Sequence, residues 1–480
     1  MKNKWWVGPA IGTILLLVFL LLPPIEPLTP LGMKTIGIFL FTAVWWATVG
    51  IGYPSVLCIA LIALTGVMTP VEVFAASYGW WITLFFLGSC GLTMGLRTTG
   101  FSRRFALWFI SRRFVAGHPW RLVGMFLLSC TIFGSIMTAA ATAIISMAIA
   151  EPMLQALGYK RGDKFAATFM TGVAWAATAA LLMTPFGHSG NILIIDWIKR
   201  DFGYEISFLH FLAFGIPVGL MVLGMLLLIY RFIVNPDVSR VKELSAGYVA
   251  QEVRNLGSMK TGEKIAVGTF LVVIIWWLLP SFISSATEVG AYLNKVGIAI
   301  PALAGAVLLC VIRVKGKPVL TFREWMIEGV EWDTLTLIAA IGAVTVVIEN
   351  PNTGIIQFMD GFFRPFAQAV PFTIFLMLTV FMVTLLTNAM SNLVSQTLTY
   401  TIMMPIALAV GKGNPALAVV ISAASNIAFS LPSATTSTAL VTGSGWVPVP
   451  FMLKYGLLVF IPVVLLFSFV VYPFALLIFR

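Results

Sequence analysis

The stretch LTNAMSNLVSQTLT, residues 386–399, decides how this chain is read. It lies between two apolar runs, PFTIFLMLTVFMVTL and YTIMMPIALAV, yet it is built almost wholly of hydroxyls and amides. Thr387, Asn388, Ser391, Asn392, Ser395 and Gln396 would therefore sit at membrane depth if the flanking runs sit in a bilayer. Hydrocarbon offers no partner to a bare polar group, so such a stretch belongs inside protein or along a wet cavity.

The bilayer itself follows from composition. Of 480 residues, 60% are hydrophobic and only 10% charged, against about 25% charged in an average soluble domain. Apolar runs of roughly 20 residues, the length that crosses a hydrocarbon core, recur from end to end. The expected fold is an all-α polytopic membrane protein of about 11 transmembrane helices. The N-terminal MKNKWWVGPAIGTILLLVFLLLPP is too long and lacks the cleavage site of a signal peptide, so residues 1–33 read as an uncleaved first span. Lys2 and Lys4 place its start in the cytoplasm, of a bacterial-type plasma membrane. The net charge of +11 reports topology, not nucleic-acid binding, because most basic residues fall in short loops. Cys58, Cys90, Cys130 and Cys310 lie inside apolar runs without paired spacing and read as packing residues.

The chain divides into two similar halves. Residues 34–233 form a first repeat with a hairpin at 121–157 and a broken helix at 165–198. A polar linker, 234–264, is placed in the cytoplasm. A second repeat, 265–480, carries a hairpin at 370–411 and a broken helix at 414–446. Trp81 pairs with Trp332, Thr138 with Ser391, and the break TPFGHSGN (184–191) with LPSATTSTALVTGSG (431–445). The aromatic-basic stretch FSRRFALWFISRRF, 101–114, pairs with GFFRPFAQAV and is expected to lie in the interface plane. Span counting puts 22 of the 29 Lys and Arg inside and 7 outside, with the second hairpin entering from the opposite face to the first. Two halves, each with a re-entrant hairpin and an interrupted helix, are the sequence pointer to an inverted-repeat transporter.

The tips and breaks are the candidate site. Half-helix N-termini attract anions, and backbone carbonyls at the other ends hold cations. The expected substrate ligands are Thr138, Ser391, Asn392, His188, Ser189, Asn191, Thr435 and Thr436. Each has a plainer alternative: small polar residues bridge membrane helices, and Asn191 or Thr435 would serve equally as a helix cap. His188 is a candidate substrate ligand or pH sensor. No HExxH, nucleotide loop or Ser/Lys dyad points to an enzyme, and the interrupted helices suit alternating access better than a channel.

With these motifs the whole chain resembles the divalent anion:sodium symporters, which carry di- and tricarboxylates and sulfate. In that family each hairpin tip carries Ser-Asn-Thr. Here Ser391-Asn392-Leu393 keeps two of the three residues, and Thr138-Ala139-Ala140 keeps a hydroxyl alone. The first loop, Gly187-His188-Ser189-Gly190-Asn191, keeps Gly and Asn without the family's prolines, and the second is Thr435-Thr436-Ser437-Thr438. The resemblance implies an elevator-type carrier of a small divalent anion that works as a homodimer. If sodium is the coupling ion, it implies sodium ligands at Thr138, Gly187, Ser391, Asn392, Asn426 and Thr435. Ala139 and Ala140 remove oxygens from one such site, so sodium symport and sodium-independent exchange both stay open, as does sulfate as cargo. No other cofactor is expected.

Overall fold

The computed structural model describes residues 6–112, 115, 118–243 and 254–479. Lys2, Lys4, Arg113, Phe114 and the central part of the 234–264 linker lie outside the described residues. The chain is a multi-pass bundle of helices, with a single two-stranded ribbon, Arg313–Val314 with Lys317–Pro318, among the described residues. Seven helices are long and apolar enough to cross a membrane, nine if each bent pair counts as one span. The difference from about 11 lies in shorter apolar helices such as Val7–Leu21 and Gly52–Thr65. Val7–Leu21 leaves Ile14, Leu17 and Leu21 open on its surface, as a lipid-facing helix should.

Both hairpins and both interruptions are present. The first hairpin has arms Pro119–Gly134 and Ala139–Ala156, and the second Phe372–Ala389 and Asn392–Ala409. The first interrupted helix runs Lys164–Ala180 and resumes at Ser189–Phe202; the second runs Pro415–Ser425 and resumes at Thr436–Gly443. The breaks thus begin at Leu181 and Asn426, some residues before the turn-rich strings that mark them in the sequence. The reason is the same in both: the last helical carbonyls are taken by 3₁₀-type bonds, Leu181 N to Thr178 O and Asn426 N to Ala423 O.

The four pieces pack crosswise. Thr436–Gly443 from the second half packs on Ala139–Ala156 and Lys164–Ala180 from the first, and Ser189–Phe202 packs on Pro415–Ser425 and Asn392–Ala409. Trp175 Nε1 donates to Phe429 O at 3.0 Å across the two halves, and the Trp175 ring stacks on Phe429. Outside this core, Trp81–Thr99 lies along Ala299–Val311, and Trp332–Glu349 along Gly52–Thr65. Gly88 makes the first of these possible, since a Cβ there would meet Leu303 N at 2.6 Å.

The stretch 101–114 forms a helix over Phe101–Ile110. It makes a specific contact with the linker. Arg104 Nε pairs with Glu263 Oε2 at 2.6 Å, and its other nitrogens reach the carbonyls of Leu256, Gly257 and Ser258. That guanidinium ties the linker's end to the first half, a role that composition alone does not reveal.

Candidate functional site

Each of the four tips and breaks ends at a helix N-terminus. Thr138 caps Ala139–Ala156, with Oγ1 accepting from Ala141 N at 3.3 Å. Thr435 and Thr438 form a capping box at Thr436–Gly443. His188 caps Ser189–Phe202 through Nδ1, which accepts from Gly190 N at 3.3 Å. Ser391 precedes Asn392–Ala409 without a side-chain cap. The capping alternative thus holds for Thr435 and not for Asn191, which lies inside Ser189–Phe202, while Thr138 and His188 cap their helices as well.

The tertiary structure then gathers all four ends. One cavity of about 480 Å³ is lined by Thr138, Ala139 and Ala140 from the first tip, and Gly187, His188 and Ser189 from the first break. Ser391, Asn392 and Leu393 line it from the second tip, and Thr435 and Thr436 from the second break. Four helix N-termini facing one space make a field favourable to an anion, each end contributing about 0.3–1 kcal/mol. Among the described residues no Lys or Arg lines this cavity. Ser189 Oγ is buried at the mouth of its helix and has no partner, a donor left free for a ligand. Because the Nδ1 lone pair of His188 is spent on its cap, the geometry suits the neutral ring better than a charge sensor.

Two expected ligands stand behind the wall. Asn191 does not line the cavity: its Nδ2 donates to Leu181 O and Thr184 O, both at 2.7 Å, and its Oδ1 accepts from Ser422 Oγ. It clamps the carbonyls that the first break frees, so it shapes the loop. Asn426 is also off the lining; its Nδ2 donates to Ser422 O at 3.0 Å, while Oδ1 lies 3.5 Å from Asn392 Nδ2. Of the oxygens proposed for sodium, those of Thr138, Gly187, Ser391, Asn392 and Thr435 border the cavity, and that of Asn426 is reached through Asn392.

Three residues without an assigned role do structural or chemical work. Asn388 clamps the second break as Asn191 clamps the first: Nδ2 donates to Thr384 O and Ile427 O, and Oδ1 accepts from Phe429 N and Ser430 N. Gln396 joins both halves, donating from Nε2 to Gly190 O at 2.7 Å and accepting from Ser422 Oγ and Ser425 Oγ. Glu331, just ahead of Trp332–Glu349, puts a carboxylate on the cavity wall. Local sequence shows Glu331 only as an acid at a span end.

A second cavity of about 450 Å³ contains Arg200 and Arg364, but neither guanidinium is free for an anion. Arg200 is held by Asp201 at 2.7 Å and by Glu349 at 2.6 Å, and Arg364 by Asp360. Nearby, Trp81 Nε1 donates to Asp196 Oδ1 at 3.1 Å. The central cavity is the better anion site.

The chain is similar to known transporters over nearly its whole length. Residues 41–431 match the family model described as a citrate transporter, CitMHS. The chain is 25% identical over 483 residues to the sodium-dependent dicarboxylate transporter SdcS of Staphylococcus saprophyticus, covering 97% of this chain and 91% of that one. It is 24% identical over 464 residues to SdcS of Staphylococcus aureus, covering 94% and 87%. In fold it is similar to the YdaH transporter of Alcanivorax borkumensis, with a TM-score of 0.58, 14% identity and 98% of both chains covered. The chain belongs to the citrate transporter family, and is a carrier of the divalent anion:sodium symporter type, not an enzyme.

Proposed function

We propose that this protein is a secondary active transporter that moves a small divalent anion, a di- or tricarboxylate, by alternating access. The observation that carries this reading is the convergence of four helix N-termini, with Ser189 Oγ unpartnered among them, on one cavity that no Lys or Arg lines among the described residues. A site of dipoles and neutral donors binds an anion firmly enough to load it and loosely enough to release it. The relatives named as sodium-dependent dicarboxylate transporters favour carboxylate over sulfate and sodium as the coupling ion.

The two hairpins and two interrupted helices form the carrier unit in this reading, related as inverted repeats and sliding as an elevator past the flanking helices. The crosswise packing of the four pieces supports their moving together. Substrate would be held by Thr138, Ser189, Ser391, Asn392 and Thr436, with His188 and Thr435 setting the helix ends. A homodimer follows from the family resemblance.

Counterflow in proteoliposomes tests the reading. Labelled succinate, malate, citrate or sulfate is offered with and without a sodium gradient. Saturable succinate or citrate uptake driven by sodium is expected, reduced at least tenfold by Asn392→Ala. Saturable uptake of sulfate alone, or of none of these anions, would sink it.

A further inference from the structure

Arg200 stands where the first interrupted helix meets the helices that flank the four central pieces. On Ser189–Phe202, Asp196 and Arg200 are four residues apart and share one face. Each meets a different flanking helix. Asp196 Oδ1 accepts from Trp81 Nε1 at 3.1 Å, and Arg200 Nη1 pairs with Glu349 Oε1 at 2.6 Å. Trp81 opens Trp81–Thr99, and Glu349 closes Trp332–Glu349. The neighbouring face of the same helix carries Trp197 and Asp201, and both turn to the second hairpin. Tyr400 Oη donates to Asp201 Oδ2 at 2.6 Å, and the Trp197 and Tyr400 rings lie 4.6 Å apart. Arg200 forks between the two faces, because its Nε also pairs with Asp201 Oδ1 at 2.7 Å.

We propose that Arg200 and Glu349 are positioning residues for the transport step, a releasable ion pair that holds the carrier unit against its flanking helices. The inference rests on the moving-carrier reading above. The bonds among Arg200, Asp201 and Tyr400 lie within the carrier unit and travel with it, whereas Arg200–Glu349 and Trp81–Asp196 cross the seam and must break. Breaking a buried ion pair ordinarily strands a charge, which opposes release. Here Arg200 keeps Asp201 as its counter-ion, bonded through Nε while Nη1 faces Glu349. The Glu349 carboxylate borders the second cavity, of about 450 Å³, where water can take the place of the guanidinium. With the Arg200 and Glu349 side chains 31% and 34% exposed, the pair biases the balance between two arrangements by only about two- to fivefold. Two acids thus compete for one guanidinium, Glu349 favouring the arrangement of this structure and Asp201 favouring release.

Distances between spin labels on the purified full chain test this. In a chain whose four native cysteines are replaced, labels go on Gln155→Cys in the first hairpin and Val311→Cys in a flanking helix, both exposed positions. Two distance populations are expected, one at the separation found in this structure. Glu349→Gln is expected to lower that population, relative to the other, about two- to fivefold. Asp201→Asn removes the competing acid and is expected to raise it by a similar factor. A role in stability alone would lower melting in both variants and shift the balance in neither. Trp81→Phe loses only the donor to Asp196 and is expected to act in the direction of Glu349→Gln; it is the second variant should Glu349→Gln fail to fold. A balance unchanged in Glu349→Gln and Trp81→Phe, or moved the same way by Asp201→Asn, overturns the proposal. A single distance in every variant, with succinate still bound, overturns the moving carrier and the role of the pair with it. Failure of the native chain to bind succinate overturns the anion reading alone, because the balance is read without substrate.

Discussion

Replacing Gln396 with leucine removes one amide and changes little volume. Gln396 is fully buried, and its loss takes away a 2.7 Å bond to Gly190 O and acceptors for Ser422 Oγ and Ser425 Oγ. The serines have other acceptors: Ser422 Oγ also reaches Asn191 Oδ1, and Ser425 Oγ also donates to Ser422 O. The Gly190 carbonyl keeps its place in the helix Ser189–Phe202, so the cost is that of one lost hydrogen bond, about 0.5–1.5 kcal/mol. Gly190 follows Ser189 at the cavity, so a loosened first break weakens substrate binding too. If the whole cost appears in binding, affinity falls roughly 2- to 13-fold. Gln396→Glu should be worse than leucine, because it cannot donate to Gly190 O and brings a charge into a buried position. Thermal unfolding at one scan rate, with and without succinate, reads both effects. The expected order of stability is native, then Gln396→Leu, then Gln396→Glu. A leucine variant as stable as the native chain with unchanged succinate affinity would refute the role of the amide.

Three further substitutions separate structure from binding. Ser189→Ala removes a hydroxyl that bonds nothing in the fold, so melting should stay within about 0.5 kcal/mol of native while succinate affinity falls roughly 2- to 13-fold; a shift in melting with unchanged affinity would mean that the hydroxyl serves packing. Asn388→Ala strips four partners from the second break, and about 2–4 kcal/mol of stability should go with them, seen as an early melting transition or loss of a monodisperse peak. In Gly190→Ala the new Cβ would stand 2.3 Å from Gln396 Oε1, so a loss of about 1–3 kcal/mol is expected. Adding Gln396→Leu should cost less than the sum of the two single changes, which a double-mutant cycle measures.

The fold was largely legible because hydroxyls and amides stand out against a background that is 60% hydrophobic. Thr435 is readable as the point where a buried helix starts, since the capping preference is local, whereas Ser391 starts its helix without a side-chain cap. What each start faces is not local. Gln396 and Gly190 are 206 positions apart, and nothing in either neighbourhood announces the bond. Asn191 was legible as important and misread in role, because a side chain that clamps Leu181 O and Thr184 O has the same sequence context as one that faces a ligand. Asn388 lies in the polar stretch that opens the reading, yet the backbone amides it binds belong to a loop some forty residues on. Glu331 was hidden for a different reason: an acid one residue before an apolar span usually marks the membrane surface, and only the packing of Trp81–Thr99 and the first tip around it turns that position into cavity wall.

The central claim is that both tips face one anion site, and cysteine protection tests it most directly. In a chain whose four native cysteines are replaced, Thr138→Cys and Ser391→Cys are labelled with a small charged thiol reagent, in sodium, with and without succinate. Succinate is expected to slow labelling at both positions, and chloride at matched ionic strength at neither. Protection at one tip only, or at neither while uptake persists, would contradict a shared site.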